Sequence, residues 1–577
     1  MNAHDVAVGD AAWGGVVRVQ ADRLAALRDQ VVQNARLFAR IAAVHEGAEA
    51  AGLTAEQKRL AWLRHTDFVR AGARLDAPAR KRLADINQRL AGLYTRFNQN
   101  VLADEAKKVP LDDGTEVANT RSSVEPFLAA SPNRAHREKV WRAFVSRGDN
   151  GDEHDNKPVI AEIVRLRLER ARLLGYATHA HWRLERSMAK SPERALDLLQ
   201  AVWKPALARV REEVADMQAV ADREGAGIAI EPWDYRYYAE KVRKEKYDLD
   251  DAEVKPYLQL DRLREAMFWV AGELLGLTFT PLSGIPVYHP DVRVWEVKGE
   301  GGCHAGLFYF DPYAREGKVS GAWMNAYRAQ ERLDRAVTPI VSNNCNYIKP
   351  APGEPVLISW NDAHTLFHEF GHALHGLASQ VTYPSLAGTS VDRDYVEFPS
   401  QLLEHWLATP EVLNRYARHC RTGEPMPPAL LEKIRRASRF NQGFETLEYL
   451  ASALVDMRLH LADPPPQDID AFERETLAAL GMPSQVCMRH RLAHFGHLFS
   501  SDGYSAGYYS YLWADTLTAD AFEAFTEAGG PYDRAVAKRL LEHVLSRGNT
   551  VDPGESYRAF RGHDPGIEAL MRKRGFA

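Results

Sequence analysis

His368-Glu369-Phe370-Gly371-His372 forms a His-Glu-x-x-His pattern in a segment with helical periodicity. Residues four apart on an α-helix lie about 40° apart around its axis, because each residue turns roughly 100°. Both imidazoles can therefore reach one zinc ion, and the carboxyl of Glu369 can act as a base on water bound there. The pattern predicts a metal-dependent hydrolytic site.

The alternative is a helix with two ordinary histidines, and the positions of the apolar residues bear on it. With His368 at 0° on a helical wheel, His372 falls near 40° and His375 near −20°. Four apolar residues lie on the opposite side of the wheel: Leu366, Phe370, Ala373 and Leu377. The apolar stripe therefore faces a core and the histidines face a cleft or solvent. Two core histidines would show the reverse.

The residues before the motif suggest how its helix begins. Residues 355–360 predict a buried strand, and Asn361 and Asp362 can cap the first helical turn. Gly371 costs about 1 kcal/mol relative to alanine inside a helix. A close approach by another element or a ligand would justify this glycine, so we expect one there.

A catalytic zinc ion needs a third protein ligand and one open position. The candidates that follow the motif are His375, Asp392, Asp394, Glu397, Glu404 and His405. His375 is better explained by packing, since one helix rarely supplies three ligands to a tetrahedral ion. Glu397 is better placed, because residues 394–406 predict a second helix that could cross the first. A lone glutamate is usually a solvated surface charge, so these residues alone leave the third ligand open.

Two motifs carry a family resemblance. Residues 368–375, followed by Tyr395-Val-Glu-Phe-Pro-Ser-Gln401, resemble the thimet-oligopeptidase family of zinc peptidases, particularly its bacterial peptidyl-dipeptidase (dipeptidyl carboxypeptidase) branch. The similarity extends from residues 140–150 through residues 231–238 to the C-terminal third, and so covers most of the chain. The motifs are long and specific.

The resemblance implies roles for individual residues. In that family the third ligand is a glutamate 25 residues after the second histidine, and this position is Glu397 here. The resemblance therefore implies one zinc ion per chain, held by His368, His372 and Glu397. It makes Glu369 the general base. It also suggests Asp394 as a hydrogen-bond partner of a metal-binding histidine, which such histidines usually need.

Residues 497–513 are rich in tyrosine and glycine. The ordinary explanation for such a segment is an aromatic stripe packed in a core. The resemblance instead assigns stabilisation of the transition state to Tyr504 and Tyr511, with an upstream histidine that we identify as His497. Two further histidines remain alternatives to it: His490 and His494. Each donor aimed at the developing oxyanion contributes about 3–4 kcal/mol.

Composition excludes several classes of function. The 577 residues are 45% hydrophobic and 26% charged, with a formal net charge of −5 and no long basic run, so we expect no nucleic-acid partner. No stretch of 18 or more apolar residues predicts a membrane span, and the N-terminus shows no secretory signal. The four cysteines are scattered, at Cys303, Cys345, Cys420 and Cys487. We expect a monomeric cytoplasmic enzyme that acts on short unstructured peptides.

The predicted fold is mainly α, with a small β-sheet beside the metal-binding helix. We divide the sequence into a helical N-terminal segment, 1–125, and a catalytic region, 126–577, whose helical lobe runs to about residue 276. The predicted strands are residues 291–297, 305–310, 321–325 and 339–342. The resemblance implies a two-lobed, neurolysin-like zincin with a deep central channel. Family members usually carry more residues before about Asp22 and between residues 104 and 124. Those segments help to form the walls of the channel, so we expect their shortness here to affect its depth and selectivity.

The predicted function is zinc-dependent hydrolysis of short peptides with release of C-terminal dipeptides, by Glu-assisted attack of zinc-bound water. One alternative is an oligopeptidase that cuts internal bonds of short peptides, and a second is a non-catalytic peptide-binding relative. Residues 321–325 are a candidate edge strand, which could pair with an extended peptide. Ordinary sheet packing explains that strand equally well.

Overall fold

The computed structural model describes residues 27, 31–247, 251–315, 318, 321–351 and 353–576. The first residues of the predicted helical N-terminal segment, 1–125, lie outside this set. Within the described part of the chain, every helix is either too short or too polar to traverse a bilayer.

Helices make up most of the described chain, which confirms the predicted fold class. The helices of the first half are α1 (Ala35–Glu46), α2 (Ala55–Arg70), α3 (Ala77–Glu105), α4 (Arg121–Ala130), α5 (Arg134–Val145), α6 (Lys157–Leu173), α7 (His179–Leu184), α8 (Pro192–Arg223), α9 (Pro232–Tyr247), α10 (Asp251–Val254) and α11 (Leu260–Leu275). Those of the second half are α12 (Trp360–Leu377), α13 (Arg393–Leu407), α14 (Pro410–Tyr416), α15 (Pro428–Ala437), α16 (Gln442–Leu461), α17 (Ile469–Ala479), α18 (Gly496–Phe499), α19 (Ser510–Glu527), α20 (Arg534–Leu540), α21 (Pro553–Arg561) and α22 (Glu568–Arg574). Short 3₁₀ turns lie at Lys255–Tyr257, Glu300–Gly302, Pro384–Leu386 and Leu492–His494, and a π turn at Leu541–Leu545.

The strands form two sheets. The larger sheet has five strands: β3 (Thr278–Leu282), β4 (Arg293–Lys298), β5 (His304–Tyr313), β6 (Trp323–Arg328) and β7 (Ile340–Tyr347). Their order in the sheet is β3-β4-β5-β7-β6, in which β5 and β7 are parallel and the other neighbours are antiparallel. A separate antiparallel pair consists of β1 (Lys108–Pro110) and β2 (Glu116–Ala118).

Four of the predicted strands are confirmed. Three observed strands were not predicted, and one predicted strand is absent from the described residues. β3 was missed because Pro281 lies within it and proline disfavours the interior of a strand, and the β1–β2 pair was missed because its turn residues predict only a loop. The strand predicted at residues 355–360 is wrong, since only Leu357 forms an isolated bridge there, to Gln259. The prediction of an edge strand is confirmed, because β6 is outermost in its sheet.

The chain divides into two compact units, each assembled from distant segments of sequence. Unit 1 comprises the described residues within Met1–Ala73, Asp250–Leu431 and Ala514–Ala569, and it contains the five-stranded sheet with α12 and α13. Unit 2 comprises Arg74–Leu249, Glu432–Trp513 and Leu570–Ala577, again for the described residues, and it is built almost wholly of helices. The division of the sequence at residue 125 stays a prediction.

Candidate metal centre

The motif histidines lie on α12, whose first turn is fixed by a reciprocal cap. The hydroxyl of Ser359 accepts a hydrogen bond from the amide of Asp362 at 3.1 Å, and the carboxylate of Asp362 accepts one from the amide of Ser359 at 3.0 Å. This capping box satisfies two amides that helix geometry leaves unpaired. The predicted caps Asn361 and Asp362 are therefore corrected: Ser359 is the cap, and Asp362 is its partner.

One face of α12 is anchored in the core of unit 1, as the wheel predicted. Its four apolar positions are at most 4% exposed: Leu366, Phe370, Ala373 and Leu377. The ring of Phe370 lies 5.5 Å from that of Phe308 on β5, and the side-chain amide of Asn343 on β7 donates to the carbonyl oxygen of Glu369 at 2.7 Å. The sheet therefore holds the helix firmly beneath its histidines.

Gly371 permits the close crossing of α12 by α13. A Cβ at this position would lie 2.6 Å from Cα of Ser400 and 2.8 Å from the carbonyl oxygen of Pro399, both on α13. Backbone atoms cannot yield to such contacts, so a side chain here would push the helices apart. The predicted close approach at Gly371 is confirmed, and it brings Glu397 on α13 toward the histidines of α12.

His368, His372 and Glu397 converge at this crossing. Nε2 of His368 lies 3.3 Å and Nε2 of His372 lies 3.1 Å from Oε2 of Glu397. The ligand atoms of all three groups lie within 4.8 Å of one another, and no other such group occurs among the described residues. Two imidazole nitrogens and a carboxylate oxygen are a donor set of catalytic zinc sites, so these residues fit the metal that the sequence predicts.

A second carboxylate fixes the orientation of His368. Nδ1 of His368 lies 2.7 Å from Oε1 of Glu404, which is on the same face of α13 as Glu397. Because that nitrogen donates to Glu404, Nε2 is the ring nitrogen of His368 that faces the cluster. The predicted partner was Asp394, but for His368 the structure gives this position to Glu404. Asp394 is fully buried in the first turn of α13.

Charge interactions favour an anionic Glu397 and a proton on His368, which a bound metal ion would displace. Burial alone would raise the pKa of Glu397, but hydrogen bonds with His368 and His372 lower that pKa well below its ordinary value. Burial opposes charge on His368 as well, yet hydrogen bonds to Glu397 and Glu404 outweigh it and raise the pKa of His368 to about 10. Glu397 is therefore an anionic ligand throughout the neutral pH range.

Glu369 lies next to the cluster without joining it. Its side chain is 6% exposed, and its Oε2 has no hydrogen-bond partner among the described residues. Burial raises the pKa of Glu369, against the opposing effect of His368 and His372. A carboxylate whose pKa is raised toward neutrality is better suited to take up a proton than an ordinary one.

The other candidate ligands lie outside the cluster. His375 is fully buried, and neither of its ring nitrogens has a hydrogen-bond partner among the described residues. Burial, with a smaller effect of His372, lowers the pKa of His375 to about 3, so it is a neutral packing residue. The ring of His405 stacks on that of Phe522 at 4.4 Å. Asp392 directly precedes α13 as its N-cap residue.

The predicted tyrosine donors lie together in unit 2. The rings of Tyr504 and Tyr511 are stacked at 5.7 Å with 8° between their planes, and their hydroxyls lie 3.1 Å apart. The ring of His497 lies 5.4 Å from that of Tyr504. Burial, reinforced by the charge of Arg489, lowers the pKa of His497, so its imidazole is neutral and can donate one hydrogen bond.

The two alternative histidines have other surroundings. The ring of His490 stacks on that of Phe495 at 4.9 Å, and burial lowers the pKa of His490 to about 2. His494 is buried beside the ring of Phe144, at 6.4 Å. The geometry thus favours His497 as the partner of Tyr504, and the roles of all these residues in catalysis remain predictions.

The sequence is also similar to known proteins over nearly its whole length. The model of peptidase family M3 matches residues 127–576. The chain belongs to this family. It is 41% identical to dipeptidyl carboxypeptidase of Escherichia coli (strain K12), over 96% of this chain and 85% of that protein. It is 33% identical to oligopeptidase A of the same organism, over 94% of this chain and 85% of that protein.

Solved structures agree on the fold of this M3 peptidase. The M32 carboxypeptidase from Deinococcus radiodurans R1 superposes with a TM-score of 0.52 at 14% identity, over 98% of this chain and 93% of that one. At such low identity the likeness concerns the fold alone. Family membership and the similarity to peptidases make the chain a metallopeptidase.

Proposed function

We propose that this M3 peptidase uses zinc to release dipeptides from the free C-terminus of short peptides. The observation that carries the proposal is the convergence of His368, His372 and Glu397 beside Glu369, whose Oε2 has no hydrogen-bond partner among the described residues. The preference for dipeptide release over internal cleavage rests on the higher identity to a dipeptidyl carboxypeptidase than to an oligopeptidase. We also propose that the protein is cytoplasmic. The four cysteines are free thiols, which suits the reducing conditions of that compartment.

The residues of the crossing would divide the chemistry between them. His368, His372 and Glu397 would hold the zinc ion, which supplies a Lewis acid that polarises a carbonyl and acidifies water. Glu369 would accept the proton of the attacking water and deliver it to the leaving amine. No covalent intermediate with the protein is needed in this scheme.

Tyr504 and His497 would supply hydrogen bonds to the oxyanion. Tyr504 would donate its hydroxyl proton to the negative oxygen that develops at the attacked carbonyl, with His497 as a second donor. Tyr511 would orient Tyr504 through the stacked rings and the contact between the two hydroxyls. Donors of this kind act on the transition state more strongly than on the bound substrate.

Strand β6 would bind the backbone of the peptide. It is outermost in its sheet, and Ala326, Tyr327 and Arg328 at its C-terminal end are exposed. It also lies beside α12, since a Cβ at Gly376 would be 3.0 Å from Cε of Met324. Pairing through main-chain hydrogen bonds gives affinity with little sequence selectivity, which suits a peptidase for short peptides of varied sequence.

The mass of the products tests the specificity. Peptides with a blocked N-terminus should yield dipeptides in successive steps from the C-terminus, and a chelator should stop the release. The same peptides with an amidated C-terminus should be cleaved far more slowly, because the terminal carboxylate is then lost. Internal fragments from amidated peptides, at rates equal to the free acids, would instead establish an oligopeptidase. Absence of any cleavage by zinc-loaded protein would leave a peptide-binding relative.

Replacing Tyr504 by phenylalanine should lower kcat by about 10²–10³. The substitution removes one hydroxyl donor and keeps the ring stack with Tyr511, so KM and zinc content should change little. Steady-state kinetics on a quenched peptide and metal analysis measure these quantities. Tyr235→Phe is the matched control, because that buried hydroxyl bonds to Glu213 elsewhere in unit 2. A kcat equal to that of the unaltered enzyme would remove Tyr504 from the mechanism.

A further inference from the structure

The loop that carries Tyr504, residues 500–509, has no helix or strand of its own. We call it the tyrosine loop. Loops without regular structure generally move more than the elements they connect. A catalytic donor must nevertheless be held within a fraction of an ångström, because a displacement of about 1 Å can cost on the order of 10²-fold in rate. Something in unit 2 must therefore hold this loop.

A buried carboxylate holds the loop just after Tyr504. Asp456 on α16 is fully buried, and its two oxygens accept hydrogen bonds from the amides of Ala506 at 2.8 Å and Tyr508 at 3.0 Å. Ala506 has φ +50°, a left-handed conformation that is unfavourable for a residue with a Cβ. Asp456 stabilises this conformation, since both amides point at its carboxylate only when the chain turns there.

A buried arginine holds the same loop just before Tyr504. Arg167 on α6 is fully buried and donates to the carbonyl oxygens of Leu498 at 2.7 Å and Ser501 at 3.0 Å. Its Nε also donates to the carboxylate of Asp502 at 3.0 Å. A guanidinium with donors in a fixed fork can bind several acceptors at once, so one side chain fixes the start of the loop.

His460 joins these two groups and completes a chain of hydrogen bonds. Its Nε2 lies 3.0 Å from Nη1 of Arg167, and its Nδ1 lies 2.8 Å from Oδ1 of Asp456. Arginine can only donate, so Nε2 accepts and the proton lies on Nδ1, which donates to Asp456. The tautomer of His460 therefore follows from its two neighbours.

We propose that Asp456, His460 and Arg167 are positioning residues that hold the tyrosine loop and thereby fix the position of the Tyr504 hydroxyl. This inference rests on the proposed role of Tyr504. The three residues act through the backbone on both sides of Tyr504. Losing one of their contacts should therefore displace the hydroxyl while the metal centre, on other elements, stays intact.

Asp456→Asn tests the proposal with little change in volume. One oxygen becomes an NH₂ group, which cannot accept a hydrogen bond, so one of the two loop amides loses its partner. We expect kcat to fall about 10–10²-fold, with KM and zinc content close to those of the unaltered enzyme. Asp234→Asn is the matched control: Asp234 is equally buried in unit 2 and pairs with Arg134 and Arg137. This control should lower thermal stability and leave kcat unchanged.

A double-mutant cycle separates positioning from general damage. If Asp456 acts through Tyr504, Asp456→Asn should lower kcat little further in a Tyr504→Phe background. Adding Ala506→Gly to Asp456→Asn should restore part of kcat, because glycine adopts a positive φ without a steric penalty. Equal losses in the two backgrounds, or an unchanged kcat in Asp456→Asn, would overturn the proposal.

Three further outcomes keep the test decisive. If Asp456→Asn does not yield folded protein, His460→Gln enters the same cycle, since it breaks the bond to Asp456 and keeps an acceptor for Arg167. An unchanged kcat in that variant overturns the inference equally. If Tyr504→Phe alone has an unchanged kcat, the proposed role of Tyr504 fails. If Tyr504→Phe is impaired and Asp456→Asn is not, only the positioning inference fails.

Discussion

Glu369→Gln is expected to abolish peptide turnover while the protein keeps its metal. Glutamine has nearly the same shape, so the packing beside α12 is preserved, but it cannot accept the proton of the attacking water. General-base assistance contributes about 10²–10⁴-fold. The loss should exceed this range, since the same group also delivers the proton to the leaving amine. The rate on a quenched peptide and the zinc content per chain measure the two halves of the prediction.

Glu369→Asp is the matched control for the base. It keeps a carboxylate and withdraws it by one methylene group, so activity should fall less than in the glutamine variant. Zinc content should equal that of the unaltered enzyme in both variants, because no oxygen of Glu369 belongs to the group of three ligand atoms. A glutamine variant with near-normal turnover would show that the base lies elsewhere.

The orientation of α12, which carries the motif histidines, was predictable because its pattern of apolar residues and histidines is local. The wheel placed the apolar stripe of α12 in the core, which the buried apolar residues confirm, but it placed His375 outside the core, and that histidine is fully buried. Gly371 predicted a close approach from its cost alone, and the backbone of α13 is what approaches. Such inferences succeed because helix geometry fixes them within a few residues.

The partner of His368 was not predictable in this way. Glu404 lies 36 residues after His368, and its contact depends on the angle at which α13 crosses α12. The spacing within α13 gave a partial signal, since Glu397 and Glu404 are seven apart and share one face of that helix. From the sequence, Glu404 was only one of several candidate ligands, and the resemblance suggested Asp394 instead of Glu404 as the partner of a metal-binding histidine.

The contacts that hold the tyrosine loop were even less predictable from the sequence. Arg167 and Leu498 are 331 residues apart, and Asp456 and Ala506 are 50 apart. Neither separation corresponds to a repeat of a helix or a strand, so neither contact can be predicted from the spacing in the sequence. Buried charged residues are rare unless paired, but their burial is visible only in the folded chain. Sequence therefore predicted the tyrosines and could not predict what holds them.

Glu397→Gln is expected to weaken zinc binding by about 10³-fold or more. An amide oxygen carries no charge and is a poor zinc ligand, whereas the pKa of Glu397 is held well below its ordinary value, so the native group is anionic at neutral pH. Apparent zinc-binding free energies of roughly 10–16 kcal/mol are shared among a few ligands, and about 1.4 kcal/mol corresponds to tenfold in affinity. Competition with a chromophoric chelator measures the affinity, and circular dichroism checks the fold.

Glu404→Gln provides the graded comparison, because Glu404 contacts His368 on the side away from the cluster. Its amide can still accept a hydrogen bond from Nδ1 and only the charge is lost, so affinity should fall by about 10–100-fold. The loss of zinc affinity should be larger in Glu397→Gln than in Glu404→Gln. A ligand must cost more than the residue that orients a ligand, and equal zinc affinity in Glu397→Gln and the unaltered protein would contradict the assignment of Glu397 as the third ligand.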